Sequence, residues 1–251
     1  MKYFVVSDVH DHYTLLRAAL DEKGFDPKNE EHKLIICGDA FYNGPEPAEL
    51  FEYLKTLHEK GRLIFVYGNH DYELLDCLEK KKFGRGGNRR CAEMLTGTTD
   101  LTDEELAEEC EKIGFTDFLK TVPVTHFETD HYVFTHGFIP AKCDDWRNAT
   151  EKQWRSAASL DGMRLSMHDG ISVPGKKVVF GHYSTARCYI MQNASEEDWQ
   201  NKIYTSDKGR VEKLLKDGVI DAFRPFYGET FIAIDPHVKG TGFINCIILE
   251  D

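Results

Sequence analysis

The stretch Tyr3-Phe4-Val5-Val6-Ser7-Asp8-Val9-His10 decides how this chain reads. A short apolar run rich in aromatic and β-branched side chains is the pattern of a buried strand, and this one ends on an Asp and a His two positions apart. The same event recurs twice. Leu34 to Cys37 runs into Gly38-Asp39, and Leu63 to Tyr67 runs into Gly68-Asn69-His70-Asp71. Roughly thirty positions separate Asp8 from Asp39 and Asp39 from Asn69, the room that successive parallel βαβ crossovers need. Three strand ends therefore deliver Asp, His, Asp, Asn and His to one sheet edge. Such a mixture of hard oxygen and imidazole donors, free of thiolates, suits a pair of divalent transition-metal ions.

The intervening segments fit. Leu15, Leu16, Ala19 and Leu20 form one stripe of a helix over Tyr13 to Lys23, with Gly24 as its stop. A second helix runs from about Pro45 to Lys60, with Leu50, Phe51, Leu54 and Leu57 inward and Gly61 beyond its end. Tyr72 to Lys80 reads as helix, and Lys80 to Arg90 is a basic cluster in an acidic chain. Its first reading is a solvated loop and helix face, and the sharper one is an arm that contacts substrate phosphate. Residues 80 to 120 are expected to be a mostly helical insertion, in which Thr102 and Glu105 make a capping box and Leu101 and Leu106 a hydrophobic staple.

Farther on, Val124 to Phe127 and His131 to Thr135 resemble a hairpin that delivers His136. A helix is expected over residues 150 to 168, opened by Thr150 and Gln153, and a short strand Lys177 to Phe180 delivers His182. Helices near 195 to 202 and 208 to 216 precede strands Thr230 to Ile234 and Phe243 to Leu249, which are expected to build a second sheet. The tryptophans Trp146, Trp154 and Trp199 read as packing rather than as a base-stacking platform, and His237 as part of a structural turn rather than as a residue that approaches the site from the second sheet.

With 251 residues, 41% of them hydrophobic, and no Pro/Gly/Ser-rich linker, the chain is expected to form one domain over residues 1–251. A net charge of −12 opposes binding of long nucleic acid, while a small phosphoester remains compatible if local metal charge outweighs that field. Seven scattered Cys without a CxxC pair read as reduced thiols. The first strand begins at Lys2, which leaves no room for a signal peptide, and no apolar run is long enough for a membrane span. A cytoplasmic location, without membrane partners, is the expectation.

Taken together and in order, Asp-x-His, Gly-Asp, Gly-Asn-His-Asp, His136-Gly137 and Gly181-His182 resemble the calcineurin-like metallophosphoesterases, most closely the bacterial and phage members of the phosphoprotein phosphatase branch. The resemblance implies a four-layer α/β/β/α sandwich of two mixed sheets. It implies that Asp8 and His10 bind a first metal, that Asp39 bridges two, and that Asn69, His136 and His182 hold the second, the ions being manganese, iron or zinc. Many relatives carry one more His two places after the last; Ser184 stands there, so the first metal would have fewer protein ligands. Two cations sharing a carboxylate would lower the pKa of a bridging water enough to supply the nucleophile, and His70 would act as the general acid.

Two departures stand out. Where phosphatase relatives read Gly-Asp-x-x-Asp-Arg-Gly, this chain has Tyr42 and Asn43, so the usual partner of the acid and one phosphate clamp are replaced. Candidate substitutes for the clamp are Arg85, Arg89, Arg147, Arg155 and Arg164, with Arg155 nearest the expected place. The resulting expectation is a two-metal phosphoester hydrolase. A Ser/Thr-type protein phosphatase or phosphomonoesterase comes first, then a dinucleoside polyphosphate hydrolase or phosphodiesterase. The rival from another class is a degenerate phosphatase that binds phosphorylated ligands without turnover.

Overall fold

The computed structural model describes residues 1–192, 194, 195, 197, 198 and 208–251. Strands β1 (Lys2–Val6), β2 (His32–Cys37) and β3 (Leu63–Val66) form a parallel set in the order β3-β2-β1, joined by helices α1 (Tyr13–Lys23) and α2 (Pro47–Glu59). Their parallel alignment puts Asp8, Asp39 and Asn69 at one edge. Helix α1 stops at Gly24, whose φ of 77° needs no Cβ in the left-handed region.

A second sheet has the order β4-β5-β6-β8-β7, from β4 (Phe127–Glu128), β5 (Tyr132–Phe134), β6 (Lys177–Phe180), β7 (Phe226–Tyr227) and β8 (Phe231–Ala233). Strands β5, β6 and β8 run parallel, so His136, His182 and Asp235 also leave from one end. The sheets face each other across Val5, Ile35, Cys37, Val66, Phe134, Val179, Ile232 and Ile234. Helices α1, α2, α3 (Asn69–Glu79), α4 (Gly87–Thr96), α5 (Asp103–Lys112) and α6 (Phe115–Thr121) cover the outside of the first sheet. Helices α7 (Glu151–Ala157), α8 (Gly162–Met167) and α9 (Ala186–Met191) cover the second. The expected four layers are thus present, because each sheet buries one face on its partner and the other under helices.

Three expectations need correction. Strand β9 (Ile247–Glu250) does not join β8 in the second sheet; it pairs antiparallel with β1 at the edge of the first. Local alternation marks a strand but carries no information on its partner. The helix expected over 150 to 168 is two helices. Thr150 and Gln153 do form the capping box, but Gly162 packs so closely on Gly137 and Phe138 that a Cβ would lie 2.6 Å from the Gly137 carbonyl oxygen. There the chain turns, and Asp161 recaps it by accepting the N–H of Arg164. The hairpin is shorter than expected, since Val124 bridges Val66 of the first sheet instead.

The capping box of Thr102 and Glu105 is formed, and Leu101 and Leu106 pack in the same core. His126 stacks on Trp154 at 4.4 Å, and Trp154 is buried in the core of the second sheet, as the packing reading requires. The helix expected near 208 to 216 spans Lys208–Lys216. The one expected near 195 to 202 falls mostly outside the described residues, and Trp199 wholly so. No helix among the described residues is long and apolar enough to cross a membrane.

Candidate metal centre

Two triads of donors meet where the sheets' strand ends converge. Ligand atoms of Asp8, His10 and Asp39 lie within 4.8 Å of one another, as do those of Asp39, His136 and His182, so Asp39 belongs to both. Contacts between the sheets fix the arrangement. His136 donates Nδ1–H to the Cys37 carbonyl (2.8 Å), which turns Nε2 toward Asp39 Oδ2 (3.1 Å) and Asn69 Oδ1 (3.2 Å). The His182 N–H donates to Asp8 Oδ2 (3.0 Å), and the Ser7 hydroxyl sits between that oxygen (2.5 Å) and the Cys37 carbonyl (2.7 Å). A Cβ on Gly181 would lie 2.1 Å from Asp8 Oδ2, so only glycine lets β6 come this close to β1.

The backbone is strained where the chemistry is. Asp8, His10, Asp11, Asp39, Asn43, His182 and His237 all have positive φ, against only Lys81 and Asp100 elsewhere among the described non-glycine residues. Each such residue costs about 1–2 kcal/mol, which the surrounding hydrogen bonds must hold in place. Asp71 is one of those anchors. Fully buried, its carboxylate accepts N–H groups from Asp39 and Gly68 (both 2.8 Å), Ala40 (3.1 Å) and Phe41 (3.2 Å), and so clamps the Asp39 loop onto the start of α3. The place of Asp71 three residues after the helix cap was the available signal.

Burial opposes charge throughout the site. It pushes Asp8 well up, Asp235 adding to the effect, and it pulls His10 and His182 down to about 3. The pair Asp39 and His136 resists this: burial disfavours both charges, yet each stabilises the other, which raises His136 to about 10 and holds Asp39 below the ordinary carboxylate range. His10 Nδ1 is buried without a hydrogen-bond partner. An imidazole whose Nε2 stands 3.8 Å from Asp8 Oδ1, and a carboxylate shared by two donor triads, fit divalent cations, which Asp8, His10, Asp39, Asn69, His136 and His182 could hold.

The remaining expected residues are placed as follows. His70 lines the cavity, its backbone N–H donates to Asp39 Oδ1 (2.9 Å), and its Nδ1 lies 3.3 Å from Glu73 Oε2. Tyr42 stacks on it face to face, with ring centroids 3.7 Å apart. Asn43 lies in the adjacent loop and does not line the cavity. Arg155 is paired with Asp76 (2.6 Å), two helical turns beyond Asn69, and lies over the Tyr72 ring. Arg89 ties Glu93 to Asp103 (2.8 and 2.5 Å), Arg147 holds Glu128, and Arg164 holds Asp169. Arg85 is exposed and does not line the cavity. In the basic stretch, Lys80 and Lys81 pair with Asp76 and Glu108, which favours the solvated-face reading.

The cavity, of 230 Å³, is also lined by Asp235, His237, Val238 and Lys239, none of them among the expected site residues. Asp235 follows an apolar run just as Asp8 and Asp39 do, and that repeat was the missed signal. His237 makes the expected turn, but it also lines the cavity.

The symmetrical bis(5'-nucleosyl)-tetraphosphatase of Aromatoleum aromaticum is 24% identical over 64% of this chain and 53% of its own length. The asymmetrical bis(5'-nucleosyl)-tetraphosphatase of Bacillus subtilis is 28% identical over 48% of this chain and 49% of its own. The chain thus spans about half the length of these curated relatives. Among solved structures, a cold-active protein-tyrosine phosphatase of a psychrophilic Shewanella superposes with a TM-score of 0.56 at 17% identity, over 100% of this chain and 75% of that one, a likeness of fold. The model of the calcineurin-like phosphoesterase family, whose members use divalent metal ions, matches residues 1–227, and the chain belongs to that family.

Proposed function

We propose that this protein is a two-metal phosphoester hydrolase with His70 as its general acid. The observation that carries the reading is Asp39, one buried carboxylate common to two donor triads. Bound divalent cations would supply water activation and charge neutralisation on the phosphoryl group. The chain's own residues do the rest. Asp8 and His10 on one side, and Asn69, His136 and His182 on the other, would hold the cations; the Cys37 carbonyl fixes the His136 tautomer. Glu73 engages His70 Nδ1, which leaves Nε2 to give its proton to the leaving oxygen, and the Tyr42 ring keeps the imidazole plane from turning. Glu73 and Tyr42 thereby do the work of the Asp that relatives place at position 42.

For substrate, the names of the curated relatives put a dinucleoside polyphosphate ahead of a phosphoprotein. The test is a panel on manganese-loaded protein: diadenosine tetraphosphate, a phosphoserine peptide, p-nitrophenyl phosphate and its bis ester. Turnover of the first at more than ten times the kcat/KM of the peptide is expected. Preference for the peptide would reverse the substrate assignment, and inertness toward all four would leave a binding protein instead.

A further inference from the structure

Asp8, Asp39 and Asp235 make the cavity wall strongly acidic, and among the described lining residues Lys239 alone carries an ammonium or guanidinium group. The turn that carries it is pinned to the site. The His237 N–H donates to Asp235 Oδ1 (2.7 Å), His237 enters the left-handed region at φ 58°, and Val238–Thr241 forms a single helical turn. From there Lys239 Nζ reaches to 5.0 Å from the centre of the Tyr42 ring, the same ring that lies 3.7 Å from His70. Lys239 forms no ion pair among the described residues, although acidic residues outnumber basic ones 43 to 31. Burial lowers its pKa somewhat, with Asp11 opposing and Arg90 adding to the effect.

An ammonium on a four-carbon stem, resting on an aromatic face that is worth about 0.5–1 kcal/mol, remains available to a stronger partner. Its position identifies that partner. The group that donates a proton to the leaving oxygen marks the leaving-group side of the site, and Lys239 stands on that side, one aromatic ring away from His70. A phosphoryl group at the two donor triads would have its charge offset by bound cations. A further phosphate on the leaving group would not, and Lys239 is the ammonium in the described lining left to meet it.

We propose that Lys239 is a substrate-binding residue that grips a phosphate carried by the leaving group, so that the site selects substrates with a phosphate chain over simple monoesters. This rests on the two-metal reading with His70 as acid. Tyr42 is the platform that holds Lys239 when no such phosphate is bound.

The experiment has two arms on metal-loaded protein. In binding by calorimetry, Lys239→Ala should weaken pyrophosphate about ten- to a hundredfold, the range for a hydrogen bond to a charged group, and orthophosphate less than about threefold. Lys239→Arg should recover most of the pyrophosphate affinity. In turnover, Lys239→Ala should lower kcat/KM on diadenosine tetraphosphate by a similar factor, mainly through KM, and by at least ten times more than it lowers kcat/KM on p-nitrophenyl phosphate. Equal losses on pyrophosphate and orthophosphate, or no loss on either, would overturn the assignment. The binding arm does not depend on turnover: protein that binds pyrophosphate through Lys239 and hydrolyses nothing would refute the proposed function and the leaving-group role together, and keep Lys239 only as a phosphate-binding residue.

Discussion

Two hollows in this molecule differ in a useful way. The larger, 490 Å³, lies between α1 and the edge strands, lined by Lys23, Arg224, Tyr227, Asn245 and Ile248 among others. The smaller, 230 Å³, is the strand-end cavity with Asp8, Asp39, His70 and His182. The larger one has exposed apolar side chains, Tyr227 and Ile248, and no left-handed non-glycine residue among its lining. The smaller one concentrates buried carboxylates, imidazoles and strained backbone. Volume alone would choose the wrong hollow. Convergent titratable groups, held in costly conformations by hydrogen bonds, mark the site.

That contrast can be broken or sharpened by experiment. Asp39→Asn should have the largest effect, eliminating turnover and lowering bound metal measured by elemental analysis, since it strikes both donor triads at once. Retained activity with full metal content would break the comparison outright. His70→Asn should lower turnover on poor leaving groups by about 10²–10⁴ and spare p-nitrophenyl phosphate, whereas Glu73→Gln should cost about tenfold with the same selectivity. Equal loss on good and poor leaving groups would remove both from the acid's machinery.

Asp71→Asn tests whether the strain is held as described. Replacing a buried acceptor of four N–H groups by an amide leaves donors facing donors, and about 2–4 kcal/mol of stability should be lost in urea unfolding. On the other side of the comparison, Glu128 measures an ordinary ion-pair cluster away from both hollows. Its hydrogen bonds to Arg147, with burial opposing and Lys176 (2.8 Å) assisting, depress its carboxyl to about 2. A depressed carboxylate stabilises the fold at pH above its unfolded value near 4.5 and loses that contribution as pH falls through about 2. Glu128→Gln should therefore cost about 1 kcal/mol at pH 7 and almost nothing at pH 2, read by denaturant midpoints. The smallest effect is expected in the larger hollow, where Tyr227→Ser should leave kcat/KM unchanged and shift stability by less than about 0.5 kcal/mol.

Much of the first half was legible because strand, turn and helix signals lie close together in the chain. Helix α1 runs over the residues its apolar stripe indicates, and β1, β2 and β3 pair in parallel as their spacing implies. The second half was harder. Its strands are two to four residues long, too short for a period to declare itself, and β9 crossed to the other sheet. Lys239 carries no local signal, since the ring it lies over is nearly two hundred residues earlier in the chain.

The sequence by itself determined the family pattern, the parallel strands and the order in which Asp8, His10, Asp39, Asn69, His136 and His182 emerge, because each is a donor type set directly after an apolar run. Only the tertiary structure decided which side chains stand behind and around those donors. Tyr42 lies on His70 and Lys239 lies over Tyr42 only because the chain folds back, and ring faces that meet across such separations leave no periodic trace in the sequence.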